Sequence, residues 1–281
     1  AASGHPGGSM SSLELYMTLF HFASIDPAQP RNPHRDRIVI SHGHTSPGVY
    51  CALADAGFFS VDDAVAHFRQ TGSVFEGHVE RSVPGVEWGS GNLGQGLSAG
   101  VGFALASRIT GYGYRTFVVM SDGEQHKGQV AEARRMAVKE GLNDLTVLVD
   151  CNGIQISGQT SDVMPVNIAE GFAADGWGVL EVDGHDVSAV YAAVAEAVTD
   201  TLRPVAVIAR TTIGKGVSFM EDDPQFHGRG LDLEEYERAC AELGLEPALD
   251  AARERRKGMI MTPALHQMRG ALDVDSGTNR E

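Results

Sequence analysis

Two polar turns about thirty residues apart hold the residue types of a cation site. Ser121-Asp122-Gly123 follows the apolar run Thr116 to Met120, and Asp150-Cys151-Asn152-Gly153 follows Leu145 to Val149, with Ile154 just beyond. An Asp carboxylate, an Asn amide oxygen and a backbone carbonyl make a hard oxygen set. Magnesium favours such ligands, with phosphate oxygens completing an octahedron. Gly123 lets the backbone approach a phosphate closely, and the helix after it offers its N-terminus to an anion. Taken singly, Asp-Gly after a strand is only a turn. The pairing is what points to chemistry. One βαβ step separates the halves, so adjacent parallel strands bring Asp122 and Asn152 together.

The elements that must position these turns follow from periodicity. Strands are expected at Ile38–Ile40, Thr116–Met120, Leu145–Val149, Val179–Val182 and Val205–Ala209. Between them, helical spacing covers Ser12–Ala23, a segment capped by Ser60 and carrying Val61, Val65 and Phe68, then Gly94–Ile109, Gln129–Glu140, Ile168–Ala174 and Val187–Val198. Small residues face the Gly94–Ile109 helix, which suits close packing beneath a sheet. Strands alternating with helices give an α/β fold, a doubly wound and mainly parallel sheet with helices on both faces. Ligands of such sheets sit at the carboxyl ends of the strands, where both polar turns fall. We expect one α/β domain over residues 1–230, then a helix (LDLEEYERACAELG) and a charged surface tail in 231–281.

Composition narrows the partners. The formal net charge of -15 argues against nucleic acid, since phosphate contacts need clustered Lys and Arg. Cys51, Cys151 and Cys240 are scattered, with no C-x-x-C pair, which suggests neither a disulfide framework nor a zinc site and fits a reducing cytoplasm. No run of 18 apolar residues predicts a membrane span. The opening AASGHPGGSM has no basic stretch followed by an apolar one, so it does not read as a secretory signal. It lacks an initiator Met and starts as if partway through an element. No G-x-G-x-x-G follows the first strand, which disfavours a dinucleotide-binding protein.

The D-G and N-x-I halves at strand ends resemble the thiamine diphosphate motif, with Ser121 in place of its usual first Gly and Cys151 in place of its frequent first Asn. SGHPGG, DRIVISHGHTS, FEGHVERSVPGVEWGSGNLGQGLSAGVGFALA, SDGE with DCNGIQISG, and TTIGKGVSF with FHG follow in that order. Together they are similar to the N-terminal half of transketolase over Ser3 to about Gly228. The resemblance implies the diphosphate domain of the thiamine diphosphate-binding fold, with magnesium, or calcium or manganese in its place, held by Asp122, Asn152 and Ile154. It implies that Gly123 and Asn152 meet the diphosphate, His44 its end, and His227 both diphosphate and substrate. Gly91 and Leu93 resemble the positions that hold the cofactor bent against the aminopyrimidine; Asn92 between them stands where many transketolases have proline. His5 and His78 would face the ketose hydroxyls. We assign His5 and His227 to proton transfer and His78 to orienting the two-carbon unit and its oxyanion. His42 and His126 carry no motif and are read as structural or exposed.

The resemblance also implies what the chain lacks. The glutamate at the pyrimidine nitrogen, and the contacts to a substrate phosphate, belong to a second domain that the family has and this sequence does not. We therefore expect a pyrimidine-domain partner subunit, in an α2β2 heterotetramer, and transfer of a two-carbon ketol unit between small sugars. Glu132 resembles a glutamate of the network joining the two sites of transketolase dimers, whereas Lys127 stands where many members have another glutamate. Deoxyxylulose-phosphate synthases and phosphoketolases share the domain but fit the S-x-G-H-x-S and G-x-L-G-Q-G motifs less well. The alternatives are a specialised two-subunit carboligase and a catalytically silent chain that binds the cofactor as a regulator. The silent reading is disfavoured because Asp122, Asn152 and the histidines are all present.

Overall fold

The computed structural model describes residues 3–257. Five strands form one sheet: β1 (Arg37–Ile40), β2 (Thr116–Ser121), β3 (Leu145–Cys151), β6 (Gly178–Asp183) and β7 (Val205–Arg210). A small antiparallel hairpin, β4 (Ile154–Gln155) and β5 (Gly158–Gln159), interrupts the series after β3. The sheet order is β1-β2-β3-β7-β6, and every neighbour pairs in parallel. The expected α/β fold with a parallel sheet is therefore present, and each predicted strand appears with bounds shifted by one or two residues.

Alternate strand residues point into two separate cores, as a sheet covered on both faces requires. On one face Ile38, Ile40, Phe117, Val119, Leu148, Val205 and Val207 pack with Leu15, Leu19, Leu53 and Val194. These partners come from α2 (Leu13–Phe22), α3 (Ser46–Asp55) and α9 (Val187–Ala197). On the other face Val39, Val118, Met120, Leu145, Val147, Val149 and Ile208 meet Leu97, Val101, Val130, Ala137 and Phe172. Those belong to α5 (Gly96–Thr110), α6 (Gly128–Lys139) and α8 (Ile168–Ala174).

Several elements lie outside the sequence expectations. Helix α1 (Pro6–Ser11) and α3 carry too many Gly, Ser and Pro to show an apolar period. Helix α4 (Val61–His67) is present, but Val61 and Val65 are exposed while Ala64, Ala66 and His67 are buried. Its inward face is thus two alanines and a histidine. The short α7 (Thr160–Val163) follows the hairpin. Beyond the sheet, α10 (Leu233–Glu242) matches the expected helix and opens on a capping box between Asp232 and Glu235. It buries Ala239 against Val217, Met220 and Phe226. The expected tail forms a further helix, α11 (Leu249–Lys257), whose Arg255 pairs with Asp62 and Asp63 on α4. The rest of the tail lies outside the described residues.

Strand register sets the site. Ser121 lies opposite Asp150, and Cys151 opposite Arg210, so β2, β3 and β7 end level with one another. Asp122, Asn152 and Thr211 consequently leave the sheet side by side at its carboxyl edge.

Candidate active site

A cavity of about 290 Å³ opens at that edge. Its lining includes His5, His44, His78, Gly91, Leu93, Asp122, Gly123, Asn152, Ile154 and His227. Of the residues singled out in the sequence for catalysis, cofactor and metal, all but Asn92 therefore come together; Asn92 is exposed and outside the lining.

The cavity has two chemically different ends. At one, Asp122 sits at the end of β2, 5 % exposed. Its Oδ1 accepts from the Gly123 N–H at 2.6 Å and its Oδ2 from the Gly153 N–H at 2.7 Å. The two turns thus hold each other, as the pairing of Asp122 with the Asn152 segment predicts. Burial, followed by the charge of Asp150, raises the Asp122 carboxyl to about 7. Asn152 Oδ1 accepts from the Ile154 N–H at 3.0 Å, and its Nδ2 donates to Ser11 Oγ at 3.1 Å. Ser121 is the last residue of β2 and has no left-handed backbone, which is why serine is accommodated where the motif usually has glycine. Gly123 also has ordinary φ; a Cβ there would lie 3.3 Å from the Cβ of Gln155, so its value is close approach rather than an unusual turn.

At the other end four imidazoles gather from four distant segments. His5 immediately precedes α1, His44 lies in the 3₁₀ turn Gly43–Thr45 after β1, His78 in the loop after α4, and His227 in the turn Pro224–His227. The His5 ring centroid lies 5.0 Å from that of His44, 6.3 Å from His78 and 6.0 Å from His227. Two close approaches make this possible. A Cβ on Gly43 would fall 1.5 Å from Ser90 Oγ, and one on Gly7 would fall 2.8 Å from the Phe226 carbonyl oxygen. Glycine at these positions lets the His44 turn meet the loop before Gly91, and lets α1 meet the His227 turn. The strands of loop are then tied by Val79 N–H to Gly43 O (3.3 Å) and Ser90 N–H to Val79 O (3.0 Å).

All four rings are driven towards the neutral form. Burial, then the neighbouring His227, Arg69 and His78, lowers His5 to about 4. Burial, then His42, His227, His5 and His78, lowers His44 to about 2. His78 is lowered by burial and by Arg69, and His227 by burial and by His42. A neutral imidazole offers one donor and one acceptor, which is the state needed to exchange protons with hydroxyls. Among the described residues His5 Nδ1 and His227 Nδ1 are buried and have no hydrogen-bond partner, so another edge of each ring is what meets the cavity.

Three residues here escaped sequence reasoning. Glu124 is fully buried and accepts from the Ser121 N–H (2.7 Å), the Gly94 N–H (2.6 Å) and the Ser41 hydroxyl. It clamps the SDG turn to the glycine loop, and its place in SDGE was the available signal. Asp150 lines the cavity and is held by hydroxyls rather than by a cation. Gln155 also lines it, with Oε1 buried and unpartnered. His42, read as structural, is 1 % exposed beneath His44, its Nε2 at 2.9 Å from the Tyr16 hydroxyl. His126 is half-buried in an adjoining cavity of about 510 Å³ that also reaches Asp122, Cys151 and Arg210. Lys127 and Glu132 are exposed.

A family model described as "Transketolase, thiamine diphosphate binding domain" matches residues 1–254. The chain belongs to the transketolase family. It is 37 % identical over 247 residues to one of the apulose-4-phosphate transketolase subunits, from Phocaeicola vulgatus, covering 86 % of this chain and 87 % of that one. It is 36 % identical to the 6-deoxy-6-sulfo-D-fructose transketolase subunit SqwG of a Clostridium species, covering 87 % and 90 %. Among solved structures, the Pichia stipitis transketolase in complex with sedoheptulose 7-phosphate superposes with a TM-score of 0.83 at 28 % identity. That match takes in 96 % of this chain but only 43 % of the Pichia chain. The transketolase relationship bears out the fold class and the thiamine diphosphate-binding character expected from the motifs. Among the described residues no helix is long and apolar enough to cross a membrane. No group of three or more His, Cys, Asp or Glu side chains among them is arranged to hold a metal, so a cation at Asp122 would need amide, carbonyl and phosphate oxygens as well.

Proposed function

We propose that this chain is the diphosphate-binding subunit of a two-chain, thiamine diphosphate-dependent transketolase that moves a two-carbon ketol unit from a ketose to an aldose. The observation that carries this reading is the near end-to-end match to two relatives named as single transketolase subunits, at 87 % and 90 % of their lengths. The partner would supply the pyrimidine domain with its glutamate, in an α2β2 assembly in the cytoplasm. Residues 1–230 would form the cofactor domain and 231–281 an appended helical segment and tail.

The residues present fit the cofactor with a divalent cation. Asp122, Asn152 and the Ile154 carbonyl are hard donors on one edge, and a cation there would offset the burial that raises Asp122. Asp122, Asn152 and Ile154 would hold magnesium, or calcium or manganese in its place, and His44, Gly123 and His227 would hold the diphosphate. Bound thiamine diphosphate supplies the electron sink that lets a carbon–carbon bond next to a carbonyl break and re-form. The chain's own work is then orientation and proton transfer. His78 holds the carbonyl oxygen of the two-carbon unit. His5 and His227, both lowered towards the neutral form, accept a proton from the substrate hydroxyl as the bond breaks and return it to the acceptor's oxygen. Gly91 and Leu93 would form the wall toward the pyrimidine, with the exposed Asn92 between them outside the lining.

The relatives' own names favour a second reading of the substrate. One is named for apulose 4-phosphate and the other for 6-deoxy-6-sulfo-D-fructose, although this chain is equally similar to both. A specialised carboligase with an uncommon ketose therefore keeps the same site residues, and the partner chain selects the sugar. The test is to combine the chain with its partner, thiamine diphosphate and magnesium, and to follow transfer from xylulose 5-phosphate to ribose 5-phosphate. Turnover that needs both chains supports the general transketolase. Tight cofactor binding without turnover moves the assignment to the specialised carboligase, and neither turnover nor binding rejects both.

A further inference from the structure

Asp150 is 1 % exposed, and among the described residues every side chain that donates to it is a hydroxyl. Its Oδ2 accepts from Ser11 at 2.6 Å and from Ser12, and its Oδ1 accepts from Thr211. A buried carboxylate without a cationic partner is costly, and three neutral donors offset only part of that cost. What the arrangement achieves appears one bond further on. Ser11 has a single proton, and the short contact to a carboxylate claims it over the Gly8 carbonyl at 3.1 Å. The Ser11 oxygen can then only accept, and at 3.1 Å it faces Asn152 Nδ2. The amide of Asn152 is thereby fixed with its nitrogen toward Ser11 and its Oδ1 on the opposite side, where it meets the Ile154 N–H within the cavity lining. The Ile154 N–H requires the same orientation, so the amide is held from both sides, its nitrogen by the Ser11 oxygen and its oxygen by the backbone.

We propose that Asp150 is a positioning residue for the cation site, acting through Ser11 to present the Asn152 amide oxygen to the metal and supplying a negative charge behind it. The proposal rests on the cofactor reading above. Thr211 ties the same carboxylate to the end of β7, and Ser12 shares its hydroxyl with His42 Nε2 at 3.1 Å, so Asp150 also fixes the cation edge relative to the His42–His44 turn. Asp150 adds no bond to the metal. Its effect is to hold Asn152 Nδ2 from behind through Ser11, adding to the Ile154 N–H in keeping –NH₂ away from a cation.

The test uses the assembled two-chain enzyme with thiamine diphosphate, titrated with Mn²⁺ and read by the loss of free-ion signal in electron paramagnetic resonance. Asp150→Asn should weaken Mn²⁺ binding by about 10- to 100-fold, the usual effect of losing a partner behind a metal ligand. Ser11→Ala, which breaks the link and leaves the carboxylate in place, should weaken it by about tenfold, at the lower end of that range. A purely structural role would lower the melting temperature of the metal-free chain and leave Mn²⁺ affinity of the folded enzyme at the wild-type value; that result overturns the proposal. Should Asp150→Asn not fold, an unchanged Mn²⁺ affinity in Ser11→Ala overturns it alone. If the wild-type enzyme itself bound no Mn²⁺ with the cofactor, the reading of the site would fall, and this inference with it.

Discussion

The two ends of the cavity are built in opposite ways. At the cation edge, Asp122, Asn152 and Asp150 are held by backbone N–H groups and hydroxyls, so their positions are set before anything binds. At the histidine end, the His5 and His227 rings line the cavity, and their buried Nδ1 atoms have no partner among the described residues. At one end the carboxylates and the amide are already bonded, Gln155 Oε1 beside them excepted; at the other the rings are not. Anchoring and chemistry make different demands. An anchor works best when its geometry costs nothing to form, whereas groups that exchange protons with a substrate must be free to bond to it.

The largest effect that follows is a separation of binding from turnover. Asp122→Asn should weaken metal-dependent cofactor binding by at least the roughly 100-fold that marks the upper range for changes behind a metal ligand. His5→Ala should leave cofactor affinity within about twofold while lowering kcat/KM by about 10² to 10⁴, the scale of losing a general acid–base group. Calorimetry of cofactor binding beside steady-state assays of the assembled enzyme would check both. If a histidine variant lost cofactor binding as severely as Asp122→Asn, the two ends would not be functionally distinct.

A smaller effect separates the ends by pH. His5 and His44 have folded values depressed to about 4 and about 2 from an ordinary value near 6.5. The folded state therefore binds fewer protons than the unfolded one, and stability from these sites is lost as pH falls below about 6.5. Asp122 has the opposite sign. Its folded value is raised to about 7, so the metal-free chain binds an extra proton when folded and loses stability as pH rises from about 4 to 7. In the presence of a chelator, Asp122→Asn should flatten the decline in melting temperature between about pH 5 and 7. His5→Gln should instead soften the loss below about pH 6. Melting curves of the three proteins across roughly pH 4–8 would decide it, and parallel curves would refute the contrast.

How much was legible in the sequence divides along the same line. The cation edge was readable because its residues sit in two short local motifs at the ends of apolar runs, and parallel pairing makes their meeting obligatory. Its support was not. Ser11 lies some 139 residues from Asp150, and nothing in GGSMSS marks a hydroxyl that faces a distant carboxylate. The histidines were reached through family motifs alone, since positions 5, 44, 78 and 227 share no period or spacing. Their convergence depends on loops packing through Gly7 and Gly43, which single-residue propensity does not report. The sheet was legible throughout because its strands are apolar and buried on both faces, while α1 and α3 were missed because small residues give no amphipathic signal.

The smallest effect asks whether the cation edge owes its rigidity to glycine or to hydrogen bonds. Ser121 stands at a position where the family motif usually has glycine, yet its backbone is that of an ordinary strand residue paired opposite Asp150. No turn strain waits to be relieved there, and Glu124 already accepts its N–H at 2.7 Å. Ser121→Gly should therefore gain nothing. It should lose roughly 0.5–1 kcal/mol through the greater freedom of glycine in the unfolded chain, with cofactor affinity unchanged. Chemical denaturation alongside cofactor titration would measure both. A variant that became more stable, or bound the cofactor more tightly, would mean that Ser121 restrains the turn. The rigidity of the cation edge would then owe less to Asp122, Asn152 and Asp150 than their hydrogen bonds indicate.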